Sequence, residues 1–197
     1  MSLQVCQPAP NFEAEAVVED RFTTIRLHEY RGKYVILFFY PLDFTFVCPT
    51  EIIAFDKALK KFHERNAELI GISVDSKYTH LAWKKTARAD GGIEKIRFPL
   101  VSDIHKSIAR DYQVLIEELG HAARGLFILD RDGIVKHITV NHPDIGRNVD
   151  EVLRTLDAIQ YAEEHGEVCP ANWEKGAATI QPDPELSKLY FSKAGTG

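Results

Sequence analysis

Cys48 lies in the run Pro41-Leu42-Asp43-Phe44-Thr45-Phe46-Val47-Cys48-Pro49-Thr50-Glu51, and that spacing points to a reactive sulfur. An apolar, strand-like stretch ends at Pro41 and a short loop follows. Cys48 then stands directly before a proline suited to the first helical position. Unpaired backbone N–H groups and the positive end of the helix dipole favour a negatively charged thiol there. Thr45, three residues earlier, can place a hydroxyl beside the sulfur. A free cysteine by itself is more often a small buried apolar group. The strand end, the helix-start proline and the threonine together reverse that balance.

Position 51 is glutamate, so the resolving thiol of a Cys-x-x-Cys oxidoreductase is absent and a second sulfur must come from elsewhere. Cys169, in Glu167-Val168-Cys169-Pro170, is either an inert tail cysteine or a mobile thiol able to reach the same or another chain. Cys6 sits near an N-terminus expected to be unstructured and fits neither role. The eight histidines are scattered without Cys-x-x-Cys or His-x-x-x-His pairs, so no metal site is expected. His80, His121 and His142 stay open as bases for a cysteine hydrolase, although nothing marks any of them. No phosphate-cradling glycine motif occurs. Arg124, ahead of Gly-Leu-Phe-Ile-Leu, reads either as an ordinary strand-end cation or as a guanidinium near Cys48. In the second case it would stabilise a thiolate and hold oxygen atoms.

The elements that must position these groups follow from the apolar patterning. Tyr34–Tyr40 (YVILFFY) is a continuous apolar run, the pattern of a strand covered on both faces. From Pro49 to Arg65, Ile52, Phe55, Leu59 and Phe62 step by three and four, which predicts an amphipathic helix. Glu68–Val74 reads as a second buried strand, giving a βαβ unit and a parallel pair. A helix to about Arg88, a short strand near Phe98–Val101 and a short helix over Ile104–Tyr112 come next. Gly125–Leu129 and Ile134–Val140 flank an Arg-Asp-Gly turn and predict a hairpin. Asn148 with Glu151 resembles a capping box for a helix that stops at His165 and Gly166. Asn11–Leu27 suggests a further hairpin. From Glu167 onward no period persists, and the stretch reads as a tail anchored at most by Trp173, Leu186, Leu189, Tyr190 and Phe191.

Length and composition set the frame. A chain of 197 residues allows one domain with an extension, here residues 1–166 and 167–197. A hydrophobic share of 45% and a charged share of 27% indicate a globular fold. The net charge of -5, without a long basic run, argues against nucleic acid and anionic membrane as partners. No apolar run approaches the roughly 20 residues of a membrane-spanning helix. Met1–Pro10 lacks the basic and apolar segments of a signal peptide, so the expected compartment is the cytosol.

Taken together, these motifs closely resemble those of the typical 2-Cys peroxiredoxins. The match is Pro41, Thr45, Cys48 and Pro49 in a P-x-x-x-T-x-x-C-P motif, Arg124 in G-x-A-x-R-G-L-F, and Val168-Cys169-Pro170 at the second-cysteine site. It extends from about Pro8 to Phe191. The order of elements is that of thioredoxin, so the expected fold is α/β, with a mixed central sheet flanked by helices and a C-terminal extension. The resemblance implies peroxide reduction without a cofactor. Cys48 is the peroxidatic cysteine and passes through a sulfenic acid, and Cys169 of the partner chain resolves it as a disulfide. It also implies that Thr45 bonds the sulfur and the peroxide, that Arg124 holds both, that Pro41 shields the site, and that Glu51 and Arg147 orient Arg124. Thioredoxin or a flavoprotein disulfide reductase is the implied reductant. The implied assembly is a homodimer, with five dimers in a ring and Phe44, Phe46 and Trp83 as candidates for the dimer–dimer contact.

Two departures stand out. Members sensitive to overoxidation carry Gly-Gly-Leu-Gly with a C-terminal Tyr-Phe pair. Tyr190 and Phe191 are present, but the loop reads Gly91-Gly92-Ile93-Glu94, which predicts intermediate sensitivity to sulfinic acid formation. Asn141-His142-Pro143-Asp144 replaces the more usual Asp-Leu-Pro after the asparagine, placing His142 in an exposed loop. Competing readings are a one-cysteine or intramolecular two-cysteine peroxidase, and a non-enzymatic chaperone or scaffold on the same ring.

Overall fold

The computed structural model describes residues 2–194. Met1 of the opening stretch and residues 195–197 of the extension lie outside them. Two compact units divide the chain, residues 1–149 and 150–197.

The first unit begins with a hairpin of β1 (Glu13–Val18) and β2 (Arg21–Arg26). Then come β3 (Tyr34–Phe39), α1 (Cys48–His63), β4 (Ala67–Ser73), α2 (Lys77–Lys85), β5 (Leu100–Ser102) and α3 (Ser107–Asp111). A two-residue pair follows, β6 (Leu115–Ile116) with β7 (His121–Ala122), and then β8 (Arg124–Leu129) and β9 (Val135–Asn141). The sheet order is β2-β1-β5-β4-β3-β8-β9. β3 pairs parallel with β4 and antiparallel with β8, and β8 and β9 form the expected antiparallel hairpin. This is the mixed, thioredoxin-like α/β sheet that the element order predicts.

β3 is continuous in apolar residues because both of its faces are covered. Val35, Leu37 and Phe39 join a core with Ile70, Phe127, Ile108 and Tyr112. From the other face, Phe38 stacks on Phe55 of α1 at 4.6 Å, and Tyr40 just beyond the strand meets Trp83 of α2 at 6.0 Å. Phe38, Phe39 and Tyr40 are fully buried, each worth about 1.5–3 kcal/mol in apolar transfer. The segment that launches the Cys48 loop is therefore among the most firmly held in the chain.

Three sequence expectations need correction. The segment around Cys6 is ordered: Cys6 N–H donates to Val135 O at 2.7 Å, Val135 N–H to Gln7 O at 2.8 Å and Ala9 N–H to Gly133 O at 3.0 Å. It uses backbone groups that β9, an edge strand, would otherwise leave open. The helix expected from Ile104 begins only at Ser107, because the Asp103 carboxylate accepts from Ile108 N–H at 3.1 Å and Ala109 N–H at 2.7 Å. The tail contains structure of its own, as the second unit shows.

That unit holds α4 (Val149–His165), which starts beside Asn148 and ends at Gly166, whose φ of 65° is the left-handed value of a helix stop. Val168 and Ile180 then exchange two backbone hydrogen bonds, of 2.9 and 3.0 Å. Trp173 is buried, and Arg154 donates to its carbonyl at 2.7 Å. A final helix, α5 (Ser187–Ala194), carries Tyr190 and Phe191. No helix among the described residues is long and apolar enough to cross a membrane.

Candidate active site

Three connections converge at one end of the sheet: the loop from β3 to α1, the start of β8, and the loop after β9. The antiparallel register pairs Phe38 with Leu126, so Arg124 stands level with residue 40, where β3 gives way to the Cys48 loop. Arg124 in turn pairs with Asn141 at the end of β9, and the following loop brings Arg147 back over the same edge. Residues 23 and 76 or more positions from Cys48 or from one another thus meet by topology alone.

Cys48 is the first residue of α1 and is fully buried. Arg124 Nη1 faces its Sγ at 3.4 Å and donates to Glu51 Oε2 at 2.6 Å, while Arg124 Nε donates to Pro143 O at 2.7 Å. Arg147 completes the cluster. Its backbone N–H and Nε reach Glu51 Oε1 at 2.8 and 2.7 Å, and its Nη2 reaches Oε2 at 2.9 Å. Arg147 Nη1 donates to Phe39 O at 2.9 Å and Gly125 O at 2.7 Å. Burial pushes the Arg147 guanidinium down from its ordinary range, and Glu51 works against that shift. Two guanidiniums share one carboxylate, so an excess of positive charge faces the sulfur. Arg124 is held by fixed partners and so is pre-aimed at the sulfur and at any oxygen bound beside it.

Pro41, at the end of β3, is buried. Thr45 differs from the expectation in one respect. Its hydroxyl donates to Leu42 O at 2.9 Å, so its proton is committed to the loop and only its lone pairs remain for a ligand. Beneath the loop, Asp43 accepts from Tyr40 OH at 2.9 Å and meets His80 Nδ1 at 2.7 Å, and His80 Nε2 lies 3.2 Å from Val101 O. Burial, more than the hydrogen bond from His80 can offset, pushes the Asp43 carboxyl up. Asp43 N–H is also tied to Asp75 Oδ2 at 2.9 Å. Sequence reasoning missed this support; its signal is the polar Asp43 inside an aromatic run.

His80, His121 and His142 each have contacts of their own away from the sulfur. Both ring nitrogens of His80 are engaged in the buried network, and His121 Nδ1 lies against Ala122 O at 3.1 Å. His142 is exposed beside Asp144, as its loop position predicts. Among the described residues no group of three or more His, Cys, Asp or Glu could hold a metal ion.

Phe44 is half exposed and Phe46 is 93% exposed, an apolar pair beside the site. Trp83 is fully buried, so it does not itself present a contact surface; its ring backs Phe44 at 5.9 Å. The Gly91–Glu94 loop is pinned by contacts that do not use the Glu94 side chain. A side chain at Gly92 would lie 2.0 Å from Thr86 O, Ile93 is buried, and Trp83 Nε1 donates to Gly91 O at 2.9 Å. Glu94 instead lies 3.9 Å from Lys95. In the second unit, Cys169 is half-buried with its thiol 3.6 Å from Ala158 O. Burial pushes that thiol up, Arg154 acts the other way, and Glu167 adds to the rise.

Comparison with known proteins identifies the family of the chain. Residues 5–138 match the AhpC/TSA family, and residues 158–193 match the C-terminal domain of 1-Cys peroxiredoxin. The chain is 55% identical over 193 residues to Peroxiredoxin tpx1 of Schizosaccharomyces pombe, covering 98% of this chain and 100% of that one. It is 52% identical over 196 residues to the mitochondrial thioredoxin-dependent peroxide reductase of Drosophila melanogaster, covering 98% and 84%. Reduced 2-Cys peroxiredoxin of Plasmodium vivax superposes with a TM-score of 0.93 at 56% identity, covering 95% of this chain and 98% of that one. With the mixed sheet, the buried cysteine at a helix start and these matches in hand, the chain belongs to the AhpC/TSA family of peroxiredoxins.

Proposed function

We propose that the protein is a thiol peroxidase of the typical 2-Cys class, reducing hydrogen peroxide and organic hydroperoxides. The observation that carries this is the Arg124 guanidinium, fixed by Glu51 and Pro143 and facing Cys48 Sγ at 3.4 Å. The Cys48 thiolate attacks one peroxide oxygen. An S–O bond forms, the O–O bond breaks, and the leaving oxygen takes a proton and departs as water or an alcohol. Arg124 steadies the charge developing on oxygen, and Thr45, its own proton held by Leu42, accepts from the peroxide O–H. Pro41 keeps bulk water out, while Glu51 and Arg147 hold Arg124 in line. Cys169 of a partner chain then attacks the sulfenic sulfur, forming the disulfide and releasing water. Thioredoxin is the favoured reductant, in keeping with the name of the Drosophila relative, and a flavoprotein disulfide reductase is the alternative. A homodimer assembling as five dimers in a ring, with Phe44 and Phe46 at the dimer–dimer contact, and a cytosolic setting complete the proposal. Intermediate sensitivity of Cys48 to overoxidation belongs to the same reading.

A one-cysteine mechanism is the second reading, favoured by the match of residues 158–193 to the 1-Cys C-terminal domain. Non-reducing electrophoresis after one equivalent of peroxide separates the two. The wild type should give a linked dimer that Cys169→Ser abolishes; no dimer, or one that persists in the variant, would remove Cys169 as resolver. The time course carries a further expectation. Because the Cys169 thiol titrates above its ordinary value, its thiolate fraction rises about tenfold per pH unit through neutrality. Disulfide formation from the sulfenic acid should therefore accelerate steadily from pH 6.5 to 8.5, as rapid-quench sampling would show, and a flat profile would contradict thiolate attack as the slow step.

A further inference from the structure

Glu151, Arg154, Ala158 and Tyr161 step by three and four residues along α4 and so share one face of that helix. The segment that holds Cys169 docks on this face. Cys169 Sγ lies 3.6 Å from Ala158 O, the Tyr161 ring is 5.2 Å from that of Trp173, and Tyr161 OH donates to Glu167 Oε2 at 3.3 Å. Residues 167–180 form a clasp, closed at its base by the Val168–Ile180 backbone pair and by Thr179 Oγ1 donating to Glu167 Oε2. Toward its tip, Arg154 spans from helix to segment. Its Nε and Nη2 grip Glu151 Oε2 and Oε1 at 2.7 and 2.8 Å, which leaves Nη1 aimed at Trp173 O, 2.7 Å away. The other ion pair from α4 to this stretch, Asp157 with Lys175, is at 4.0 Å with the lysine side chain largely exposed, and so holds far less.

We propose that Arg154 is a positioning residue for the resolving step: through Trp173 O it latches the Cys169 segment closed on α4, and the thiol is presented to a second sulfur only when that bond opens. The inference rests on the reading of Cys169 as the resolving thiol. A half-buried thiol turned to a carbonyl of its own unit must turn away from it before it can attack another sulfur. Opening exposes the buried Trp173 and gives up the charge-assisted bond to its carbonyl, so the open fraction is set largely by these two contacts. Removing the donor should raise that fraction about tenfold, the weight of one partly exposed bond of this kind.

Arg154→Met keeps the reach of the side chain and removes every donor. In the reduced full chain, iodoacetamide should alkylate Cys169 about tenfold faster in this variant than in wild type, as peptide mass spectrometry would follow. Charge acts in the opposite sense, because Arg154 draws the Cys169 thiol down and its loss alone would slow a thiolate reaction. Faster labelling therefore reports release, and an increase below about threefold, or a fall, would overturn the proposal. Glu151→Gln frees the guanidinium from its two-point anchor and should act in the same direction, with the double variant no faster than Arg154→Met alone. Effects that multiply would mark two independent contacts and count against the latch. After one equivalent of peroxide, the linked dimer should form faster in Arg154→Met by a similar factor while stopped-flow oxidation of Cys48 keeps its wild-type rate, a split that a general loss of stability would not produce. Faster alkylation without faster dimer formation would also overturn the proposal. A wild type that forms no linked dimer would remove Cys169 as resolver, and the alkylation rates would then decide by themselves whether Arg154 closes the segment.

Discussion

Replacing Arg124 by methionine is expected to lower kcat/KM for hydroperoxide about 100- to 1,000-fold, the usual cost of losing a donor aimed at developing oxyanion charge. The variant should still fold. Glu51 Oε2 would lose the 2.6 Å bond from Arg124 but keep the 2.9 Å bond from Arg147 Nη2, so no carboxylate oxygen is stranded. Arg124→Lys tests geometry against charge. A single ammonium cannot hold Pro143 O, Glu51 Oε2 and the sulfur together as the guanidinium does, so lysine should recover only a small part of the rate. Stopped-flow measurement of Cys48 oxidation, apart from any recycling step, is the appropriate readout. A lysine variant within about threefold of wild type would show that charge alone suffices, against the role assigned to the fork.

Glu51→Gln should act first on stability. Every hydrogen bond of the Glu51 carboxylate is accepted: Oε1 takes the backbone N–H and Nε of Arg147, and Oε2 takes Arg124 Nη1 and Arg147 Nη2. Glutamine keeps one acceptor oxygen and turns an NH2 toward two further donors. It also leaves two buried guanidiniums facing each other without a counter-charge. Breaking such a buried pair costs about 3–5 kcal/mol, a fall in Tm of roughly 6–20 °C for a chain of this size. Peroxide reactivity should fall with it, since Arg124 loses the group that aims it. Thermal melting monitored by circular dichroism decides the point, and a Tm within about 2 °C of the parent would contradict the account.

Both expectations rest on residues whose meaning was unequally visible in the chain. Cys48 carries local signals, a strand end, a proline and a helix start, and each survives in the structure. Arg124 and Arg147 have no local signal, since either passes for a strand-end or loop charge until the β3–β8 register and the β9 loop bring them to Glu51. Their assignment came from resemblance, and the geometry now supplies the physical reason. The sheet was legible because β3 and β4 are continuously apolar and Arg131-Asp132-Gly133 marks a hairpin. The tail was not, because α5 is short and follows prolines that hide its period. Its start signal was present in Asp183, whose carboxylate accepts from Glu185 and Leu186 N–H at 2.9 Å each. The strap at Cys6 could not be read at all, because it depends on backbone groups of β9 more than a hundred residues away.

The bonds around Glu51 also set a leash. Asp43 is tied to Asp75 on one side of the loop, and Glu51 is locked into two guanidiniums on the other. Any opening of the first turn of α1 is confined to the stretch between these anchors, with Cys48 three residues from the nearer one. Fully extended, three residues of backbone span about 10 Å, so the Cys48 backbone stays within about that distance of Glu51. In the proposed cycle, a thiol that attacks Cys48 must therefore come within reach of this short tethered stretch, while Arg124, Glu51 and Arg147 keep their bonds.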